Sequence, residues 1–302
     1  MAGRAVVTGA LSFTGRYIAQ RLLAVGGEVV TLTSRVATTD PLAAQMAVHR
    51  LDFDHPEELT HAMAGAEVLY NTYWARLGRG DDYDHLVANT TLLAQAAVRA
   101  GVRRIVHISI ANASAGSPFG YYRAKALAEQ AVKDTGLSCA ILRPTLLFGP
   151  EDIMVNNIAW FLRHLPIFGI LGRGDYQIQP VHVDDLAALA VSAGGGEGGE
   201  TFDVAGPECF TFNEFIRVIR KACGGISLVT HLPLPAVLAA NRVLGLALGD
   251  VTLTAQEAEA LAANLLVSPE RPRGTTSFID WITRQGRELG QKYRSSLRRE
   301  YR

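Results

Sequence analysis

The chain has 302 residues, 48% hydrophobic and 19% charged, enough to bury a substantial core in one large domain or two smaller ones. Lys plus Arg and Asp plus Glu number 29 each, so no global field favours nucleic acid, and none is expected as a partner. The three cysteines, Cys139, Cys209 and Cys223, are widely spaced and fit neither a zinc-ligand pattern nor a disulfide framework, which points to a reducing compartment. A strand begins almost at once, leaving no room for a secretory signal, and no apolar run reaches the roughly 18 residues a membrane helix needs. A cytoplasmic location without stable membrane insertion is the expectation. The most apolar stretches, 158–171 and 232–248, are interrupted by Arg163 and His164 and by Asn241 and Arg242; both read as buried helices or pocket walls.

In chain order, an apolar strand at 5–7 runs into the turn Thr8-Gly9-Ala10-Leu11-Ser12-Phe13-Thr14-Gly15, and a helix carrying Ile18, Leu22 and Val25 follows until Gly26-Gly27 stops it. Strands are predicted over 28–33 and 46–51. Asp54-His55-Pro56-Glu57-Glu58 then marks a helix start, with a capping Asp, proline in the first turn and acids against the dipole. A strand at 67–70, a helix at 83–100, a strand at 104–109, a helix at 121–134 and a strand at 138–142 complete the alternation, the mark of a parallel sheet with crossover helices. Past Pro150 the rhythm changes. A helix near 154–163, a strand and helix within 179–193, a glycine-rich surface loop at 194–199, a strand at 201–204 and a helix at 212–223 capped by Thr211 follow. Helical tails are predicted over 254–266 and 277–289. No repeat with a period of 20–50 residues is present.

Strand, glycine turn and helix in that order present backbone N–H groups and a helix N-terminus to a phosphate. Gly9 takes the backbone angles of the turn and Gly15 admits close helix–sheet approach, while Ser12 stands where a dinucleotide pattern has its middle glycine. The second strand ends Thr33-Ser34-Arg35 with no acid. Arg35 can grip a 2′-phosphate and Ser34 can donate to it, so NADP(H) is favoured over NAD(H). Asp52 and Phe53 follow the third strand, and Asn71 ends the fourth, again at carboxyl ends of strands. Tyr121 and Lys125 lie four apart at a helix start and share a face, so the ammonium stabilises the phenolate and brings the tyrosine toward general acid–base work. The scattered histidines form no pair at metal-ligand spacing, and no metal is expected. Asp184-Asp185 reads as a helix cap, and the basic C-terminus, with Lys292, Arg294, Arg298, Arg299 and Arg302, as a solvated helix end.

These residues resemble the short-chain dehydrogenase/reductase superfamily, in its extended and atypical branches related to epimerase/dehydratases. Thr8-Gly9-Ala10 with Gly15 resembles the cofactor turn, and Tyr121 with Lys125 the active-site pair. Leu142-Arg143-Pro144-Thr145 and Phe148-Gly149-Pro150 resemble the segment lining the nicotinamide end. Pro180-Val181-His182-Val183-Asp184-Asp185-Leu186-Ala187 looks like the extended branch's return segment. The resemblance implies an α/β fold, a Rossmann-type doubly wound parallel sheet over 1–150 to which 176–206 return. It implies a smaller, mostly helical substrate region over 151–175 and 207–302. It further implies an NADP(H)-dependent oxidoreductase, Tyr121 moving the proton and Lys125 tuning it and holding the ribose. The predicted cofactor contacts are Gly9, Leu11, Ser12, Phe13, Thr14, Gly15, Ser34, Arg35, Asp52, Phe53, Asn71, Lys125, Pro144 and Thr145. An epimerase or dehydratase with a tightly held cofactor uses the same parts, and a homodimer is plausible by resemblance. Two departures stand out. Ser12 replaces a glycine, and Ile110 falls where the family carries a catalytic Ser or Thr, leaving Ser109, Asn112 or Ser114 to substitute. Relatives of the complex I accessory subunit and NmrA-like sensors show such losses, so a non-catalytic NADP(H)-binding sensor or scaffold is the alternative. The substrate is expected to be a small molecule, partly apolar.

Overall fold

In the computed structural model, which describes residues 3–34, 38–74 and 83–295, strands and helices alternate from the start. The first half runs β1 (Arg4–Thr8), α1 (Phe13–Ala24), β2 (Glu28–Thr33), β3 (Ala47–Arg50), α2 (Pro56–Met63), β4 (Val68–Asn71), α3 (Asp84–Arg99), β5 (Arg104–Ile108), α4 (Gly120–Lys133) and β6 (Ser138–Pro144). Then come β7 (Leu146–Phe148), α5 (Met154–His164), β8 (Ile167–Leu171), β9 (Gln177–Ile178), β10 (Pro180–His182), α6 (Val183–Gly194) and β11 (Gly199–Val204). The rest is β12 (Phe210–Thr211), α7 (Phe212–Cys223), β13 (Leu228–Leu232), α8 (Leu234–Leu248), α9 (Ala255–Ala262) and α10 (Phe278–Gln285).

Seven strands form one sheet in the order β11-β6-β5-β4-β1-β2-β3, every neighbouring pair parallel. This is the Rossmann order, and it reverses between β1 and β4. Strands β1, β2, β4, β5 and β6 are apolar on both faces because helices cover both, and Val6, Val30, Leu69, Ile105 and Ile141 are fully buried. The chain divides into two units, Met1–Pro144 with Val183–Val204, and Thr145–His182 with Ala205–Arg302.

Within the first unit, Arg104 on β5 is completely buried. Its Nε donates to Ala193 O at 2.6 Å, Nη1 to Gly198 O at 2.9 Å and to Ser138 Oγ, and Nη2 to Glu200 at 2.6 Å. A guanidinium out of water survives only with its donors matched, and these acceptors fasten α6 and β11 to the sheet. Arg21 on α1 forks onto Asp184 with two bonds of 2.7 Å. The Asp184 carboxylate, expected as a helix cap, is thus occupied by an ion pair across two helices.

The second unit has its own core, in which Phe148, Phe215 and Phe278 are fully buried; the Phe215 and Phe278 rings stack at 4.9 Å. It adds the two-stranded sheets β10-β7, β12-β9 and β13-β8 to its helices. Thr211 caps α7 as expected, and Glu214 closes a capping box with it.

Three expectations need correcting. The stretch 158–171 is not one helix: α5 stops at His164, ahead of Pro166, and the rest is β8. The stretch 232–248 does contain a helix, α8, but Val237 is its one buried residue, and Val243 and Leu246 are 68% and 87% exposed. Apolar composition marks what can be buried, not what is. The N-cap of α2 is His55, not Asp54. No helix among the described residues is long and apolar enough to cross a membrane.

Candidate functional site

The strand order reverses between β1 and β4, and open parallel sheets bind ligands at such a point, outside the carboxyl ends of the strands. The turn after β1 stands there. Gly9 has φ +66°, a left-handed conformation that glycine takes without strain, and its N–H donates to Leu32 O at 2.8 Å. A Cβ on Gly15 would stand 2.3 Å from Gly9 O, so α1 can start this close to the turn only with glycine there. Ser12 is the N-cap of α1, and its side chain makes no capping hydrogen bond. The first turn of α1 thus presents its N–H groups at the positive end of a helix dipole without a cap from the Ser12 side chain. Leu11 is buried, whereas Ser12, Phe13 and Thr14 are half-buried. This cradle fits a pyrophosphate.

Across the switch point, β1 and β4 are stitched by polar side chains. Thr72 N donates to Thr8 Oγ1 at 2.7 Å, and Thr8 Oγ1 lies 3.3 Å from Asn71 Oδ1. Asn71, 1% exposed, accepts from Tyr73 N through Oδ1 at 3.0 Å, which turns its Nδ2 toward His107 Nδ1 at 3.1 Å. Burial, and then the charge of Lys125, pull the His107 imidazole down to about 3, so it is neutral. With Nδ1 accepting, the ring proton sits on Nε2, which has no hydrogen-bond partner among the described residues.

Lys125 rises from the first turns of α4 beneath this group. It is 2% exposed, its Nζ donates to Ile108 O at 3.2 Å, and it stands 5.9 Å from the centroid of the Tyr121 ring. Burial pulls the ammonium from its ordinary value of 10.5 to about 8, with the Glu129 carboxylate opposing the fall. Tyr121 is half-buried and packs against Tyr83 at 5.7 Å and Tyr122 at 5.9 Å. Tyr122 is 5% exposed and burial pushes its phenol up, which leaves Tyr121 as the phenol beside the ammonium.

Ser109 does not face an open space. Its hydroxyl donates to Glu129 Oε1, and Glu129, 2% exposed, takes a two-pronged ion pair from Arg143, Nε–Oε1 2.9 Å and Nη2–Oε2 2.6 Å. Asn112 adopts φ +60°, a conformation asparagine tolerates, and Ser114 is exposed. Thr145 donates its hydroxyl to Gln179 O at 2.5 Å, and Pro144 O accepts from Ala111 N at 2.8 Å. Asp52 Oδ1 accepts from Asp54 N at 3.1 Å, and its other oxygen faces His55 at 3.4 Å and Arg50 at 3.7 Å. The Asp54 N–H, then His55 and Arg50, hold its carboxyl below the usual range. Phe53 packs edge-on against Tyr73 at 5.1 Å. Ser34 directly follows β2, and Arg35 lies outside the described residues.

The structure thus gathers Gly9, Ser12, Gly15 and Asn71 around the switch point, and Tyr121 with Lys125 on α4. Motif reading misses His107, Glu129 and Arg143 as a group. The one sequence signal for Glu129 is its place four residues beyond Lys125, on the same helix face.

Residues 9–156 match a family model described as NAD(P)H-binding. The subunit 9 of the mitochondrial NADH dehydrogenase (ubiquinone) 1 alpha subcomplex from Arabidopsis thaliana is 31% identical over 245 residues, 76% of this chain and 60% of that protein. The chain thus spans about three fifths of the length of that relative. Among solved structures, the triphenylmethane reductase of Citrobacter sp. complexed with NADP(H) superposes with a TM-score of 0.75 at 20% identity, over 94% of this chain and 99% of that one. The NADPH-dependent quinone oxidoreductase of Escherichia coli, complexed with NADPH, gives 0.75 at 22% identity, over 93% and 99%. At these identities the likeness is one of fold.

Proposed function

Because the chain belongs to the NAD(P)-binding Rossmann family, we propose that it is an NADP(H)-dependent oxidoreductase acting on a small, partly apolar molecule. The observation that carries this reading is the buried Lys125 ammonium within 5.9 Å of the Tyr121 ring centroid, on the helix that follows β5. A bound nicotinamide supplies or accepts the hydride. Tyr121 gives or takes the matching proton at its hydroxyl. Lys125 favours the phenolate by its charge and holds ribose hydroxyls. The N–H groups at the start of α1 hold the pyrophosphate. Ser34 and Arg35, with no acid beside them, favour the 2′-phosphate. Epimerase or dehydratase chemistry needs the same groups, with the hydride returned.

A second reading is a non-catalytic NADP(H)-binding component of a protein assembly. The Ser109 hydroxyl is committed to Glu129 and its neighbour Ile110 is apolar, so neither supplies the usual substrate-orienting hydroxyl. The Arabidopsis relative is itself named as a subunit. Replacing Tyr121 by Phe separates the two. NADPH affinity is measured by calorimetry and NADPH oxidation by absorbance against a panel of quinones, aldehydes and ketones. The enzyme reading expects Tyr121→Phe to abolish oxidation with affinity retained. No oxidation by either protein, with affinity intact, favours the binding component; equal oxidation by both would show that Tyr121 is not the proton carrier.

A further inference from the structure

The glycine turn is followed immediately by a cation. Arg16 lies on the first turn of α1, and its N–H donates to Ser12 O at 3.0 Å. Its guanidinium reaches across to Asp40, seven residues past the end of β2. Arg16 Nη1 lies 3.3 Å from Asp40 Oδ1, and Nη2 is in close contact with Oδ2. The two side chains are 24% and 20% exposed, sheltered yet within reach of solvent. Asp40 is pinned independently of the arginine: Leu42 N donates to Oδ1 at 3.0 Å, and Asp40 N donates to Thr38 Oγ1 at 3.1 Å. The pair therefore ties the start of α1 to the segment that follows β2. In this fold the pyrophosphate lies at the first of these and the adenosine ribose at the second.

We propose that Arg16 and Asp40 form a cofactor-selecting pair, in which Asp40 stands in for the 2′-phosphate of NADP(H) and Arg16 transfers to that phosphate when the nucleotide binds. The proposal rests on the nucleotide-binding reading above. A guanidinium carries five donors in a rigid fork and accepts a carboxylate or a phosphate with the same two-pronged geometry. Exchanging one anion for the other keeps the cation paired. NAD(H) brings only a neutral 2′-hydroxyl there, so nothing displaces Asp40 and the pair stays closed. Asp40, held by Leu42 N, remains behind as a like charge near the phosphate, and its carboxylate sets how strongly NADP(H) must compete.

Calorimetric titration of the full chain with NADPH and NADH tests this, using wild type, Arg16→Gln and Asp40→Asn. Asparagine keeps the acceptor for Leu42 N, so the turn is preserved; Arg16→Lys, which keeps a cation without the fork, supports the reading if Arg16→Gln proves unstable. The expected result is roughly a tenfold or greater loss of NADPH affinity in Arg16→Gln, an intermediate loss in Arg16→Lys, and about a three- to tenfold gain in Asp40→Asn, all with NADH affinity unchanged. Equal losses for both nucleotides in the Arg16 variants would make the pair a structural brace and overturn the proposal. So would Asp40→Asn weakening NADH while leaving NADPH alone, the signature of a carboxylate that accepts from a ribose hydroxyl. Either result leaves nucleotide binding standing; binding of neither nucleotide by wild type removes both.

Discussion

Lys125 offers a test that needs no substrate. In the folded chain its ammonium titrates near 8, against 10.5 in the ordinary state. Between these values the unfolded chain holds a proton that the folded chain has released, so stability rises with pH across that window. Below it both states are protonated and the cost of burying the charge is constant. With 1.36 kcal/mol per unit, the separation corresponds to about 3 kcal/mol at pH 7, falling by about 2 kcal/mol by pH 9.5. Lys125→Met keeps the length of the side chain and removes the charge. It also loses the bond to Ile108 O, an offset of about 1–3 kcal/mol that does not depend on pH in this range. The informative quantity is therefore the slope of the difference, not its size at one pH. Urea denaturation of both proteins without nucleotide, at intervals from pH 7 to 9.5, gives it directly. Wild type should gain about 2 kcal/mol relative to the variant over that range. A flat difference would mean that the ammonium is hydrated, and the reasoning about its burial would fall.

Two further outcomes follow from the same framework. Arg143→Met strands the Glu129 carboxylate, 2% exposed, without its ion-pair partner, and should cost about 3–5 kcal/mol in denaturant melts. The further substitution Glu129→Gln should recover a large part of that loss; no recovery would show that Arg143 acts through packing alone. Gly15→Ala places a methyl group against Gly9 O, so the turn must open. We expect about 1–3 kcal/mol of destabilisation together with loss of NADPH binding by calorimetry, and an alanine variant that binds NADPH normally would refute the close fit of turn and helix.

The features legible in the sequence are those carried by short runs of chain. Residues 5–15 contain the strand, the φ-positive glycine, the glycine pressed on Gly9 O and the helix start, so β1, the turn and α1 are all readable there. Tyr121 and Lys125 share a helix face by spacing alone. The alternation of elements yields the parallel sheet, because a right-handed crossover leaves few other arrangements. What is not legible depends on contacts between distant segments. Ser109, Glu129 and Arg143 come from β5's end, α4 and β6, and only the packed sheet shows that the serine's hydroxyl is already taken. Arg16 and Asp40 are likewise ordinary surface residues until the fold sets one against the other. The exposure of α8 escapes sequence reading for the opposite reason: its leucines and valines signal burial, and the chain supplies few partners for them.

The return of β11 to the sheet has a consequence for biosynthesis. A nascent chain that has reached only β6 holds six of the seven strands and leaves the backbone of Cys139–Pro144 without its outer neighbour. Arg104 at that moment still lacks the carbonyls of Ala193 and Gly198 that accept from it in the complete fold. The nucleotide-binding half is thus completed only after the sixty residues from Pro144 to Val204 have been made, and a ribosome-held intermediate exposes a sticky sheet margin until then.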